Sequence, residues 1–218
     1  MPVPARPKIY HIMHVDRLAS VVSDGHLWCD AVMMDRQGVG TTIGMSNIKA
    51  RRLTELRLPS HPNLFVGQCT PFYFCPRSVM LFMIYKHNKE LTYKGGQDSI
   101  IHIEADLYDT VAWANANNHR WAFTLSNAGA KYFEDRCNLR DLDQINWSAV
   151  QARQWSGPGI SPSVKEGKQA EFLIERYFPW DLVECIGVLH KSVGAQVYRS
   201  LDAGKHRPRV ELKPDWYY

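Results

Sequence analysis

The stretch "KQAEFLIERYFPW", residues 168–180, puts one acidic residue, Glu171, at the head of a strongly apolar run. With the two-residue period of a strand, "QAEFLIE" turns Ala170, Phe172 and Ile174 to one side and Gln169, Glu171, Leu173 and Glu175 to the other. Strands seldom carry a carboxylate beside so much bulk without a reason. An exposed strand glutamate is the commoner case. The alternative is a carboxylate that accepts a hydrogen bond from a sugar hydroxyl and stabilises positive charge at a reacting carbon. Oxocarbenium-like transition states need a fixed negative charge nearby. On either reading Glu175, on the same side, is expected to tolerate change.

Working outward, "LVECIGVLH" (182–190) reads as a strand, "VGAQVYRSL" (193–201) as a helix and "RVELKP" as a last strand. Upstream, 137–167 is rich in Asn, Ser, Gly and Pro, and is expected to be a long loop, functional or mobile. Earlier still, "KIYHIMH" (8–14), the pieces of 63–76, "SIIHIEAD" (99–106, half-buried) and "WAFTLS" (121–126) read as strands. "DRLASVVSDG" (16–25) reads as a helix capped by Asp16 and stopped by Gly25. "SNIKARRLTEL" (46–56, capped by Ser46 or Asn47), "LYDTVAWANA" and "GAKYFEDR" read as further helices, and "SVMLFMIY" (78–85) as buried core. Strands dominate without regular βαβ alternation. The expected fold is α+β, a central mixed or antiparallel sheet flanked by helices, in a single domain over 1–218.

The 218 residues are 45% hydrophobic and 22% charged, ordinary for a soluble globular chain. No apolar run reaches membrane-spanning length, and "MPVPARPK" lacks the apolar segment of a secretory signal. The five cysteines have no CxxC spacing, which argues against a disulfide framework and a structural zinc site. No membrane partner, no metal and a cytoplasmic location are expected. Neither common glycine-rich phosphate loop occurs. The net charge is only +4, but "KARRLTELR" (49–57) and "KHRPR" (205–209) concentrate cations. Such clusters suit nucleic-acid or dinucleotide phosphates, or are solvated helix faces.

Three candidate constellations remain. His11 and His14, three apart on one strand, fall on opposite faces, which disfavours a shared metal. In "PFYFCPRS", alternation separates Tyr73 from Phe72 and Phe74, leaving its ring free to stack on an aromatic ligand, with Arg77 close behind. Glu171 is the third.

In this order, "IYHIMHVDRLASVVSDGHLWCDA", "IGMSNIKARRL", "PFYFCPRSVMLFMIY" and "KQAEFLIERYFPW" resemble the His–Tyr–Glu pattern of ADP-ribosyltransferases. Within that superfamily they resemble the DarT family of the DarT–DarG toxin–antitoxin systems, from about residue 8 to the terminal "DWYY". Departures from the family pattern fall at Met13 and at 45–47. The resemblance implies an ADP-ribosyltransferase-like fold and an enzyme that uses NAD as co-substrate to modify a base, thymidine, in single-stranded DNA. It implies a DarG-like macrodomain antitoxin as partner. It implies catalytic roles for Glu171 and Arg51, NAD contacts at His11, Ile12, Met13, His14, Gly25, Leu27, Arg52 and Tyr73, and DNA contacts at Lys49, Arg51, Arg52, Arg77 and His119. The rival readings are a transferase of the same fold acting on RNA or protein, and a non-catalytic nucleic-acid-binding domain.

Overall fold

A computed structural model describes residues 1–36 and 40–218. Strand β9 (Ala170–Glu175) lies between β5 (Cys69–Tyr73) and β7 (Trp121–Asn127), inside an eight-stranded sheet. Beyond β7 comes the edge strand β8 (Asp135–Arg136). On the other side follow β1 (Lys8–His14), β6 (Ile100–Asp106), β11 (Val183–Val188) and the edge strand β12 (Arg209–Leu212). Every pairing is antiparallel except β11 with β12. Two ribbons stand apart, β2 (His26–Trp28) with β10 (Tyr177–Pro179), and β3 (Arg57–Leu58) with β4 (His61–Phe65). The α+β expectation holds.

Alternation in β9 is realised as read. Ala170, Phe172 and Ile174 enter the main core with Phe72, Phe123, Ile9 and Ile103, while Leu173 packs on the other face with Leu56, Leu64 and Val66. Full burial of a side chain such as Phe172 contributes roughly 1.5–3 kcal/mol, so slipping the strand by one residue would forfeit contacts on both faces. A third cluster joins Ile12 and Ile100 to Leu81 and Ile84 of α4 (Val79–Tyr85). The run 78–85 is therefore a helix with one buried face rather than core throughout, and Tyr85 lies outside.

Helix α1 (Leu18–Asp24) ends at Gly25, whose φ of 69° is the left-handed turn glycine adopts without strain. Asp16 does not cap it. A 3-10 turn intervenes, capped by the His14 ring, and Asp16 instead accepts from the Thr41 amide and hydroxyl. Helix α3 (Ser46–Thr54) is preceded by Met45, which has no side-chain acceptor, so neither Ser46 nor Asn47 is its cap. The helix rides close on the 3-10 turn at Val66–Gln68, where a Cβ on Gly67 would meet the Leu53 Cα at 2.9 Å. That close approach fixes which side of α3 faces the sheet.

Three further expectations are corrected. Strand β6 is buried on both faces: Ile101, Ile103 and Ala105 enter the main core, while Ile100 joins the third cluster and His102 packs against Trp216 and Tyr217. "GAKYFEDR" is not helical: Asn127 Oδ1 accepts from the Gly129 amide at 2.7 Å and starts a turn. Beyond it β8 pairs with β7, and buried Asp135 ties β8 to the turn between β3 and β4 by accepting from the Ser60 amide. The segment 137–167 is no loop. It holds a 3-10 turn at Leu139–Gln144 and short helices at Trp147–Gln151 and Pro162–Gly167, and its Leu142, Ile145, Trp147 and Val150 join the main core.

Candidate active site

Glu171 is 3% exposed, which removes the solvated-edge reading. Its register partner on β5 is Tyr73, and the partner of Tyr73 on β1 is Tyr10, so the three residues share one sheet face. Pairing of β1 with β5 is confined to Tyr10 opposite Tyr73. Beyond it the His11 ring bridges the two strands, its Nδ1 lying 2.7 Å from the Pro71 carbonyl oxygen. The sheet splits here, and the split borders Tyr73 and Glu171.

Helix α3 supplies the counter-charge. Arg52 Nη2 donates to Glu171 Oε2 at 2.9 Å, with the two side chains only 12% and 4% exposed. Burial alone would lower the Arg52 pKa, but the charge of Glu171 and their hydrogen bond outweigh it and raise it, so the guanidinium stays cationic. Burial first, then the Glu171 charge, raises the Tyr73 phenol and keeps it protonated. Burial lowers the pKa of His11, the Pro71 carbonyl opposing, which favours a neutral ring able to accept or donate. Lys49 Nζ is paired with Asp30 Oδ1 at 2.6 Å, at the start of α2 (Asp30–Asp35). His11 feels the charges of Asp30, Lys49 and Arg17.

The structure thus gathers Glu171, Arg52 and Tyr73, with His11 and Lys49 at the border of the group. Arg51 is not among them. It pairs with Glu55 at 3.4 Å on the outer side of α3, so the arginine that reaches the carboxylate is Arg52. Ile12, Met13 and Leu27 are buried by side chain, which leaves them only backbone contacts with a ligand. His14 stands off at Asp16 and Tyr93, and Gly25 turns its carbonyl to the Trp180 amide. Arg77 is tied to the Tyr217 carbonyl and lies over the Tyr218 ring. His119 sits at the far end of β9 on the Glu175 carbonyl, its ring tilted against Trp113 and edge-on to Tyr177. Glu175 is no neutral comparison residue, since Arg120 donates to both of its oxygens, at 2.9 and 2.6 Å, and holds its carboxyl below the usual range. The 205–209 cluster belongs to the β12 edge, where Arg209 pairs with Glu211. Five strand spacings, about 24 Å, separate that edge from β9.

Sequence reasoning missed Thr124 and Asp30. Register between β7 and β9 shifts between Phe123 and Asn127, so no β7 carbonyl is in place for the Glu171 amide. The Thr124 hydroxyl fills that gap: it accepts from the Glu171 N–H at 3.0 Å and donates to the Ser126 carbonyl at 2.6 Å. A threonine just before the polar end of "WAFTLS" was the available signal.

A split, mostly antiparallel sheet carrying His11, Tyr73 and a buried glutamate on an inner strand is the arrangement that the resemblance to ADP-ribosyltransferases implies. A family model described as ssDNA thymidine ADP-ribosyltransferase, DarT, matches residues 10–218, and the chain belongs to the DarT family, whose members are DNA ADP-ribosyltransferases that use NAD. The chain is 35% identical to a DNA ADP-ribosyl transferase of Thermus sp. (strain 2.9), over 99% of this chain and 98% of that protein. It is 25% identical to one of Escherichia coli O127:H6, covering 99% and 95%. The solved structure of Thermus sp. 2.9 DarT in complex with ADP-ribosylated ssDNA matches with a TM-score of 0.88 and 32% identity, covering 100% of this chain and 99% of that one. The same protein in complex with NAD+ matches with a TM-score of 0.82.

Because the Thr124 hydroxyl sets the Glu171 backbone, Thr124→Val is expected to lower kcat for ADP-ribosyl transfer roughly tenfold to a hundredfold. KM for NAD should move little, and Thr124→Ser should restore the rate. Unaltered kcat in the valine variant would remove Thr124 from the site.

Proposed function

We propose that this chain transfers ADP-ribose from NAD to the base of a thymidine in single-stranded DNA, with Glu171 and Arg52 carrying the reaction. The observation that supports this most is the buried Glu171–Arg52 pair beside Tyr73, at the split in the sheet. Tyr73 would stack on the nicotinamide ring and His11 would bond a ribose hydroxyl. The bond from the ribose anomeric carbon to the nicotinamide nitrogen breaks first, and its electron pair leaves with nicotinamide. Glu171 holds the ribose as positive charge develops. A ring nitrogen of the base then supplies the pair for the new bond and releases its proton to solvent water. That nitrogen is engaged in Watson–Crick pairing in a duplex, which suits a single-stranded acceptor. No step calls for a metal ion. Arg52 enters as a cation next to the phosphates and the carboxylate, since an arginine is a poor base at its usual pKa.

The family further implies a toxin held in check by a DarG-like macrodomain antitoxin, in the cytoplasm where DNA and NAD are at hand. No helix among the described residues is long and apolar enough to cross a membrane. The test is mass spectrometry of short oligonucleotides incubated with the protein and NAD. A gain of one ADP-ribose is expected on thymidine-containing single strands and not on the same strands in duplex. Gain on RNA or protein alone would overturn the acceptor assignment.

A further inference from the structure

A cavity of about 350 Å³ opens where β1 and β9 begin and β5 ends. Its lining includes Arg6, Lys8, Arg77, Arg153 and Lys168, and no carboxylate. Two of these cations are already balanced, Arg6 by Asp106 and Asp109, and Lys8 by Asp106 and Glu184. The other three are not. Lys168 is only 2% exposed, yet its ammonium meets no carboxylate, only the Val150 carbonyl at 2.6 Å, the Ala152 carbonyl at 2.9 Å and the Cys75 thiol, which burial keeps protonated. Arg77 spends one nitrogen on the Tyr217 carbonyl and leaves Nε buried without a partner. Arg153, exposed at the rim, has no ion-pair or hydrogen-bond partner among the described residues. A buried ammonium with no counter-ion and an orphaned guanidinium donor each carry a desolvation cost that an anion would relieve. Burial accordingly lowers the pKa of Lys168. Two guanidinium forks beside an ammonium match the oxygens of a phosphate.

Position points to the source of that phosphate. Tyr10, in the cavity wall, lies opposite Tyr73, which lies opposite Glu171, all on one face. Two strand spacings, about 10 Å, therefore separate the cavity wall from the carboxylate, and Lys168 leads directly into β9.

We propose that this cavity holds a backbone phosphate of the DNA strand, close to the nucleotide presented to Glu171. The assignment rests on the DNA-modifying reading above and adds a positioning site to it. The test is oligonucleotide affinity at several salt concentrations for the wild type, Arg153→Gln and Lys168→Met. Arg153→Gln, at the exposed rim, is expected to fold normally, to weaken binding of a short thymidine-containing single strand about tenfold, and to lower the salt slope by about one. Its melting temperature should still rise with NAD as in the wild type. A single uncharged methylphosphonate, scanned along the oligonucleotide, should reproduce the loss at one linkage near the target in the wild type and add nothing in the variant. Equal affinity and slope in wild type and Arg153→Gln would overturn the proposal. So would stabilisation by inorganic phosphate that Arg153 controls while the oligonucleotide slope stays unchanged, which would mark a free-anion site. Failure of the underlying reading shows separately, as absence of ADP-ribose gain on any single strand by the wild type.

Discussion

Glu171→Gln is expected to abolish ADP-ribosyl transfer, a fall of at least about 10²–10³-fold, while NAD continues to stabilise the protein. Glutamine keeps the shape of the side chain and removes its charge, so the loss isolates the electrostatic role. One preorganised group facing developing charge is commonly worth that factor, and a fixed anion beside an oxocarbenium-like centre is such a group. The substitution also leaves Arg52 buried without its counter-charge, since the pair is nearly closed off from solvent. Breaking a buried pair on one side costs about 3–5 kcal/mol, so the variant should melt well below the wild type. Activity must therefore be compared where both are folded. NAD at ten times its dissociation constant adds about 1.4 kcal/mol, which a melting assay detects and which separates loss of chemistry from loss of binding. Transfer within tenfold of wild type in a folded Glu171→Gln variant would end the assignment.

The second large effect is expected at Arg52, and it is a contrast between neighbours. Arg52→Lys should lower transfer about a hundredfold, whereas Arg51→Lys should change it less than about threefold. Both variants keep the net charge, so a long-range field cannot explain a difference. Consecutive residues on an α-helix point about 100° apart. Arg52 is turned to Glu171 at 2.9 Å, and Arg51 to Glu55 outside. A lysine ammonium is a compact point charge on a flexible stem and cannot reproduce the rigid placement by which Arg52 Nη2 meets Glu171 Oε2. Initial rates with NAD and a single-stranded oligonucleotide decide the matter. If Arg51→Lys is the damaging change, the role passes to Arg51.

That contrast marks where the sequence stopped being informative. The period of "QAEFLIE" told which side chains of β9 share a face, and it was right because a pleated strand has only two faces. Adjacent arginines on a helix are harder, since the inward one depends on how the helix rolls. Here that roll is set by Leu53, the residue after Arg52, meeting Gly67 on a separate turn that the arginine run itself does not announce. Glu175 looked dispensable because its partner, Arg120, stands 55 residues away, just ahead of β7. The 137–167 segment looked like a loop because polar residues outnumber the few that anchor it, Leu142, Ile145, Trp147 and Val150, at spacings that fit no single long helix. "GAKYFEDR" had helix-forming composition, and the Asn127 side chain overrode it by seizing the Gly129 amide. The family pattern of His, Tyr and Glu was legible because each residue sits on or at the end of a strand whose apolar neighbours announce it.

Strand β9 is flanked by β5 and β7 and packed with apolar side chains above and below. The carboxylate it carries is held at the centre of the sheet and paired with Arg52, so the reaction centre is built on a buried strand rather than on a loop. A molecule made to silence this protein has no strand to bend. It must occupy the split beside Tyr73, and its success will depend on shape and charge at that opening alone.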